Sequence, residues 1–158
     1  MALDAFVYCD CYEKDNLRCD PPNGIALKLA PNGELTCDAS SDASWMAFNA
    51  WKLAKACLHE GMILVRHRLG DDELVDRIRA ELQRQGEHFP ILLNDVVYSS
   101  THTCDWIRSE RFPALIEELK RLQTDLMQSP ARDAMHHFKI QIAELIIAAQ
   151  LMRKPICF

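Results

Sequence analysis

The hydrophobic and polar positions change rhythm several times along the chain, and each change marks an element. In LDAFVYCDCY (Leu3 to Tyr12), Phe6, Tyr8 and the pair Cys9/Cys11 alternate with other residues. This predicts a short strand that dissolves into loop after Cys11. Pro21-Pro22-Asn23-Gly24 then interrupts any regular structure. Ile25, Leu27 and Leu29 alternate, Pro31-Asn32-Gly33 forms a turn, and Leu35 and Cys37 resume the alternation, as in a β-hairpin. The polar tract Asp38 to Asp42 supplies an N-cap for the helix that follows.

From Ser44 the period lengthens. Asn49, Lys52, Lys55 and His59 are spaced by three and four, which places them on one stripe of a helix. Trp45, Met46, Phe48, Trp51, Leu53, Cys57 and Leu58 fill the remainder, so this helix is expected to be buried on most of its circumference and to act as the hub of the fold. Gly61 suits its C-cap. Met62 to Val65 fits a buried strand and a helical turn equally well, because so short a run has no readable period. Gly70-Asp71-Asp72-Glu73 opens a second helix with Leu74, Val75, Ile78 and Leu82 on its apolar face, ended by Gly86. Phe89 to Tyr98 is expected to thread the core, and Ser99 to Trp106 to be a polar loop.

The last third predicts two helices. Leu115, Leu119, Leu122 and Leu126 mark the seam of the first, with Pro113 in or near its first turn. Ser129 and Pro130 start the second, where Met135, Phe138, Ile142, Leu145, Ala149 and Met152 repeat in threes and fours. A short connector between two seams predicts an antiparallel helical hairpin. Pro155 stops that helix, and Ile156-Cys157-Phe158 is apolar enough to tuck onto the body. The expected fold is α+β, mostly α: a helical domain with an N-terminal strand and β-hairpin and a C-terminal antiparallel helical hairpin. It forms one domain over residues 1–158, with a β-rich part (1–40), central helices (41–108) and the hairpin (109–158).

Composition narrows the function classes. With 158 residues, a real core forms without disulfide staples. A net charge of −5 disfavours nucleic acid, whose partners carry a basic face, and is compatible with a protein partner. No basic leader precedes an apolar block, and no apolar run approaches the roughly 20 residues that span a bilayer. Seven cysteines cannot all pair within the chain, so reduced thiols in a cytoplasm are expected.

The sharpest candidate chemistry is a pair of brackets, Cys9-Asp10-Cys11 and Cys57-Leu58-His59. Three thiolates and one imidazole make the Cys3His set that closes a tetrahedral structural zinc site. Such a site would tie the N-terminal segment to the end of the hub helix. The spacing departs from the usual two to four residues between ligands, and buried cysteines also serve as small hydrophobes. His102-Thr103-Cys104 is a second source of ligands. His59-Glu60-Gly61-Met62-Ile63 lacks the second histidine of a metalloprotease helix. His-x-Glu with a later Cys-x-x-Cys, glycine-rich phosphate loops and Gly-x-Ser-x-Gly are all absent. A nucleophilic pair of Cys57 or Cys104 with His67 or His102 is no more than chance would supply. Arg66-His67-Arg68 could grip a phosphate or carboxylate on a partner, but pairing with Asp71, Asp72 or Glu73 is the simpler expectation. His102 and Asp105 join it as possible partner-binding residues, being in the polar loop. His136 and His137 are expected at or near the surface.

LDAFVYCDCY, ACLHEGMILVRHRLG, FPILLNDVVYSSTH and KPICF together resemble a group of small uncharacterised bacterial proteins, over nearly the whole chain. Both brackets fall within the resembling segments. Ser100 and Thr103 stand where the resemblance implies glycine, so the turn there differs. The group has no established activity. By analogy of size and charge alone, a small acidic chain without a catalytic set suggests an immunity protein that neutralises a bacterial toxin by direct binding. The alternative is a zinc-binding module with a structural or hydrolytic metal at Cys9, Cys11, Cys57 and His59. A binding protein is favoured over an enzyme.

Overall fold

A computed structural model describes residues 2–86, 88–99, 102, 105–122 and 131–158. Strand β1 (Ala2–Tyr8) runs between β4 (Ile63–Asp71) and β6 (Ile156–Cys157), and β5 (Trp106–Ile107) closes the sheet in the order β4-β1-β6-β5. Every neighbouring pair is antiparallel. A separate hairpin joins β2 (Ala26–Leu29) to β3 (Leu35–Asp38). The helices are α1 (Asp42–Ala54), α2 (Asp72–Arg84), α3 (Phe112–Arg121) and α4 (Ala131–Met152), and Leu92–Val96 forms a π-helical turn. None of the described helices is long and apolar enough to cross a membrane.

Period-two alternation in β1 sorts its side chains between the two faces of the sheet. Leu3, Ala5 and Val7 are buried in the main core, while Asp4 is exposed and Phe6 half-buried on the other face. The core face is covered by α2, through Val75, Ile78 and Leu82, and by α4, through Phe138, Ile142 and Leu145. Asp71 caps α2, accepting the Leu74 N–H at 3.0 Å, and Ser41 caps α1 by accepting from Ser44. Gly33 sits at φ +82° in the β2–β3 turn, and a Cβ there would lie 2.8 Å from Lys154 Cδ. Glycine is therefore needed both for the turn and for the approach of the C-terminal segment.

This is not the helical domain with an N-terminal strand and a C-terminal helical hairpin that the sequence suggests. The four-stranded sheet is the organising layer, and β1 is one of its inner strands. Helix α4 packs on α3 but also across β1, β4 and α2, so it covers the sheet rather than closing a self-contained hairpin. Leu126, Ser129 and Pro130, part of the expected seam and cap, lie outside the described residues.

The hub helix is also corrected. α1 ends at Ala54, and only Phe48 and Trp51 on it are buried, whereas Trp45, Met46 and Leu53 are 48%, 71% and 56% exposed. It belongs to a smaller second cluster with Leu35, Cys37 and Met62, apart from the main core. Gly61, at φ +61°, is not its C-cap but lies in the 3-10 turn Glu60–Met62 that feeds β4. Met62 to Val65 enters a strand because β1 offers a complete ladder of backbone partners.

His136 is exposed, as expected, so His136→Ala should change stability by no more than about 0.5 kcal/mol in urea denaturation. Glu118 behaves otherwise. Its carboxylate is buried and accepts the N–H groups of Ile91 and Leu92, each at 2.9 Å, and burial raises its pKa. Glu118→Ala should cost roughly 1–3 kcal/mol for each donor left unsatisfied, read as a lower denaturation midpoint.

Candidate metal centre

Cys9 follows β1 directly, and its N–H donates to the Met62 carbonyl at 2.8 Å, extending the β1–β4 pairing by one step. The chain then turns, with Lys14 N–H on Asp10 O at 3.0 Å and Asn16 N–H on Cys11 O at 2.7 Å. These bonds fix Cys11 beside Cys9. The loop is fastened at its far side, where Arg18 N–H donates to Ala56 O at 2.8 Å and the Lys154 ammonium pairs with Glu13. The second bracket lies just beyond α1. The Lys55 and Ala56 N–H groups both donate to Trp51 O, ending the helix and delivering Cys57 to the same spot.

The four predicted donors converge there. Cys9 Sγ and Cys57 Sγ are 3.8 Å apart, Cys11 Sγ and His59 Nδ1 are 3.4 Å apart, and Cys57 Sγ and His59 Nδ1 are 3.7 Å apart. All four donor atoms lie within 4.8 Å of one another, so the cluster can hold a metal ion. The three cysteines are buried and His59 is half-buried, while Leu58 between them points outward at 78% exposure. The His59 N–H also faces Cys57 Sγ at 3.4 Å, a contact that favours negative charge on sulfur. Burial pushes the Cys9 and Cys11 thiols up from their ordinary range, and the neighbouring Cys57 adds to this. A dication among them would reverse that balance and hold them as thiolates. Two thiols packed as hydrophobes explain one sulfur contact. They do not explain an imidazole nitrogen turned inward against two of the sulfurs.

The other candidate residues lie elsewhere. Cys104 and Thr103, like Ser100, are outside the described residues. His102 is buried, with Nε2 2.8 Å from Val96 O and its ring between those of Tyr98 and Phe158. Asp105 is half exposed beside it and accepts from the Tyr98 hydroxyl. Arg66, His67 and Arg68 do not make one grip, because strand alternation divides them. Arg66 pairs in register with Phe6 and Arg68 with Asp4, on the open face, and Arg66 lies over the Phe6 ring at 5.9 Å. His67 turns to the helical face, where Nε2 meets Glu144 of α4 at 2.8 Å. Of the acids expected to pair with this segment, Asp71 caps α2 and Glu73 faces Arg77 at 3.6 Å.

Sequence reasoning missed two polar groupings. Lys52 joins Glu34 at 2.6 Å beneath Tyr8, whose hydroxyl also engages Glu34. Asp95, Tyr98, Asp105 and Trp106 surround a common hollow. Neither has a spacing signature, since the partners come from different elements. No protein-family model, curated protein or solved structure matches this chain.

Proposed function

We propose that this is a zinc protein whose ion is structural, joining the end of β1 to the turn after α1. The distances between donors carry this reading. A tetrahedral zinc with Zn–S of about 2.3 Å and Zn–N of about 2.05 Å sets S···S edges of about 3.8 Å and S···N edges of about 3.6 Å. The cluster has 3.8 Å for Cys9–Cys57, and 3.4 and 3.7 Å for the two sulfur–nitrogen edges. Four protein donors complete a tetrahedron and leave no position for a reacting water, which favours a structural ion over a hydrolytic one. The zinc would act as a cross-link for a loop that otherwise rests on a small apolar cluster. The toxin-antagonist reading rests on size and charge, gains nothing from the residues described above, and is taken no further.

Elemental analysis of protein purified without added metal tests the proposal. About one equivalent of zinc per chain is expected, with Cys57→Ser holding less than roughly a tenth of that and Cys37→Ser retaining it. Zinc retained by Cys57→Ser, or absent from the parent protein, would count against the site.

A further inference from the structure

Away from the cysteine cluster, a hollow of about 250 Å³ is lined by Asn94, Asp95, Tyr98, Asp105 and Trp106. We propose that it binds an organic cation, an ammonium or guanidinium group carried on an alkyl chain.

The donors and acceptors around the hollow point to a cationic guest. The Tyr98 hydroxyl is committed as a donor to Asp105, which pushes the Tyr98 pKa up to about 12. Apart from the Asn94 amide and the Trp106 indole N–H, the remaining capacity is for accepting. Asp95 receives Arg111 at 2.8 Å on Oδ1, but its Oδ2 is buried without a hydrogen-bond partner. Asp105 has no lysine or arginine partner among the described residues. Behind it, outside the lining of this hollow, stands His102, whose side chain is 3% exposed and whose Nδ1 lies 3.3 Å from Asp105 Oδ2. Asp95 Oδ2, a buried acceptor without a donor, lies beside the Asp105 carboxylate that no described lysine or arginine pairs, and it is costly unless a ligand supplies N–H groups. An anion would add to the charge already there.

The shape selects an organic cation over a metal ion. Among the described residues the Cys9, Cys11, Cys57 and His59 cluster is the one convergent set of three or more metal-binding donors, so Asp95, Asp105 and His102 do not converge on a point. Two aromatic side chains, Tyr98 and Trp106, line the hollow instead, and π-faces attract ammonium and guanidinium groups. A second hollow of about 350 Å³ shares Asp105 and runs over Phe6 and Tyr8 on the open sheet face, which gives an alkyl chain an apolar path. This inference stands apart from the zinc reading, since no metal ligand contributes to either hollow.

The test is calorimetric titration of the purified full chain with three probes. These are agmatine, a short alanine peptide carrying one arginine, and 1,5-pentanediol as an uncharged control. Saturable one-site binding of agmatine or the peptide is expected, with pentanediol silent. Asp105→Asn should weaken it by roughly tenfold or more, as loss of a charge-assisted bond implies. Because Asp105 holds Phe158 N–H through its backbone carbonyl, the substitution leaves that contact in place. Tyr98→Leu, at a half-exposed position, provides a second variant that should also weaken binding. Tighter binding of the peptide assigns the cation to a protein partner, and tighter binding of agmatine assigns it to a free amine; either supports the site. No saturable binding of either cation, equal binding of pentanediol, or affinity unchanged in both variants overturns it.

Discussion

With the proposed zinc bound at the cysteine cluster, stripping it with a strong chelator should lower the melting temperature by roughly 8–16 °C. The size follows from linkage: a ligand held only by the folded state, at a free concentration a thousandfold above its Kd, contributes about 4 kcal/mol. For a chain of this length each kcal/mol moves the midpoint by about 2–4 °C. The loss should be local at first. Cys9, Cys11 and Cys57 belong to the smaller cluster with Trp51, whose indole N–H donates to Cys19 O at 3.1 Å, while the sheet and α2–α4 share a separate core. Tryptophan fluorescence should therefore change before the helical circular dichroism does. The effect should also depend on pH, because zinc binding must displace protons from thiols that burial holds protonated. Zinc affinity rises with pH and falls as the solution is acidified. A melting curve and fluorescence that chelation leaves untouched would remove the cross-link from the account.

Phe138→Ala should cost roughly 3–5 kcal/mol in chemical denaturation. Phe138 is 1% exposed, on the face of α4 that covers the sheet. Its removal leaves a cavity against a β-sheet, a layer that cannot collapse into the space without breaking its ladders. A loss this large consumes much of a typical stability of about 5–15 kcal/mol, so the variant should be marginal at physiological temperature. A loss below about 1 kcal/mol would mean that α4 does not lie on the sheet through this residue.

Much of the local structure was legible in the residues. Hairpin β2–β3 could be read because alternation and the Pro31-Asn32-Gly33 turn are adjacent in the chain. The buried face of α2 and most of that of α4 could be read because three- and four-residue spacing is a property of a single helix. The sheet was not legible. β5 and β6 are two residues each, too short to show a period, and β4 is a strand because β1 pairs with it. The rank given to α1 failed for a related reason. Apolar residues around most of its circumference suggested burial, but Trp45, Met46 and Leu53 face outward, since hydrophobicity does not itself supply a neighbour to pack against.

The division is clearest at the two sites. The sequence by itself offered Cys9, Cys11, Cys57 and His59 as candidate metal donors, by residue type and by their two-residue brackets. Only the tertiary structure decided that the brackets meet, since they are 48 residues apart and the β1–β4 ladder carries one to the other. It alone also assembled Asp95, Tyr98, Asp105 and Trp106 around one hollow. Local spacing is written along the chain, whereas proximity between distant segments is set by the backbone pairing and apolar burial that bring them together.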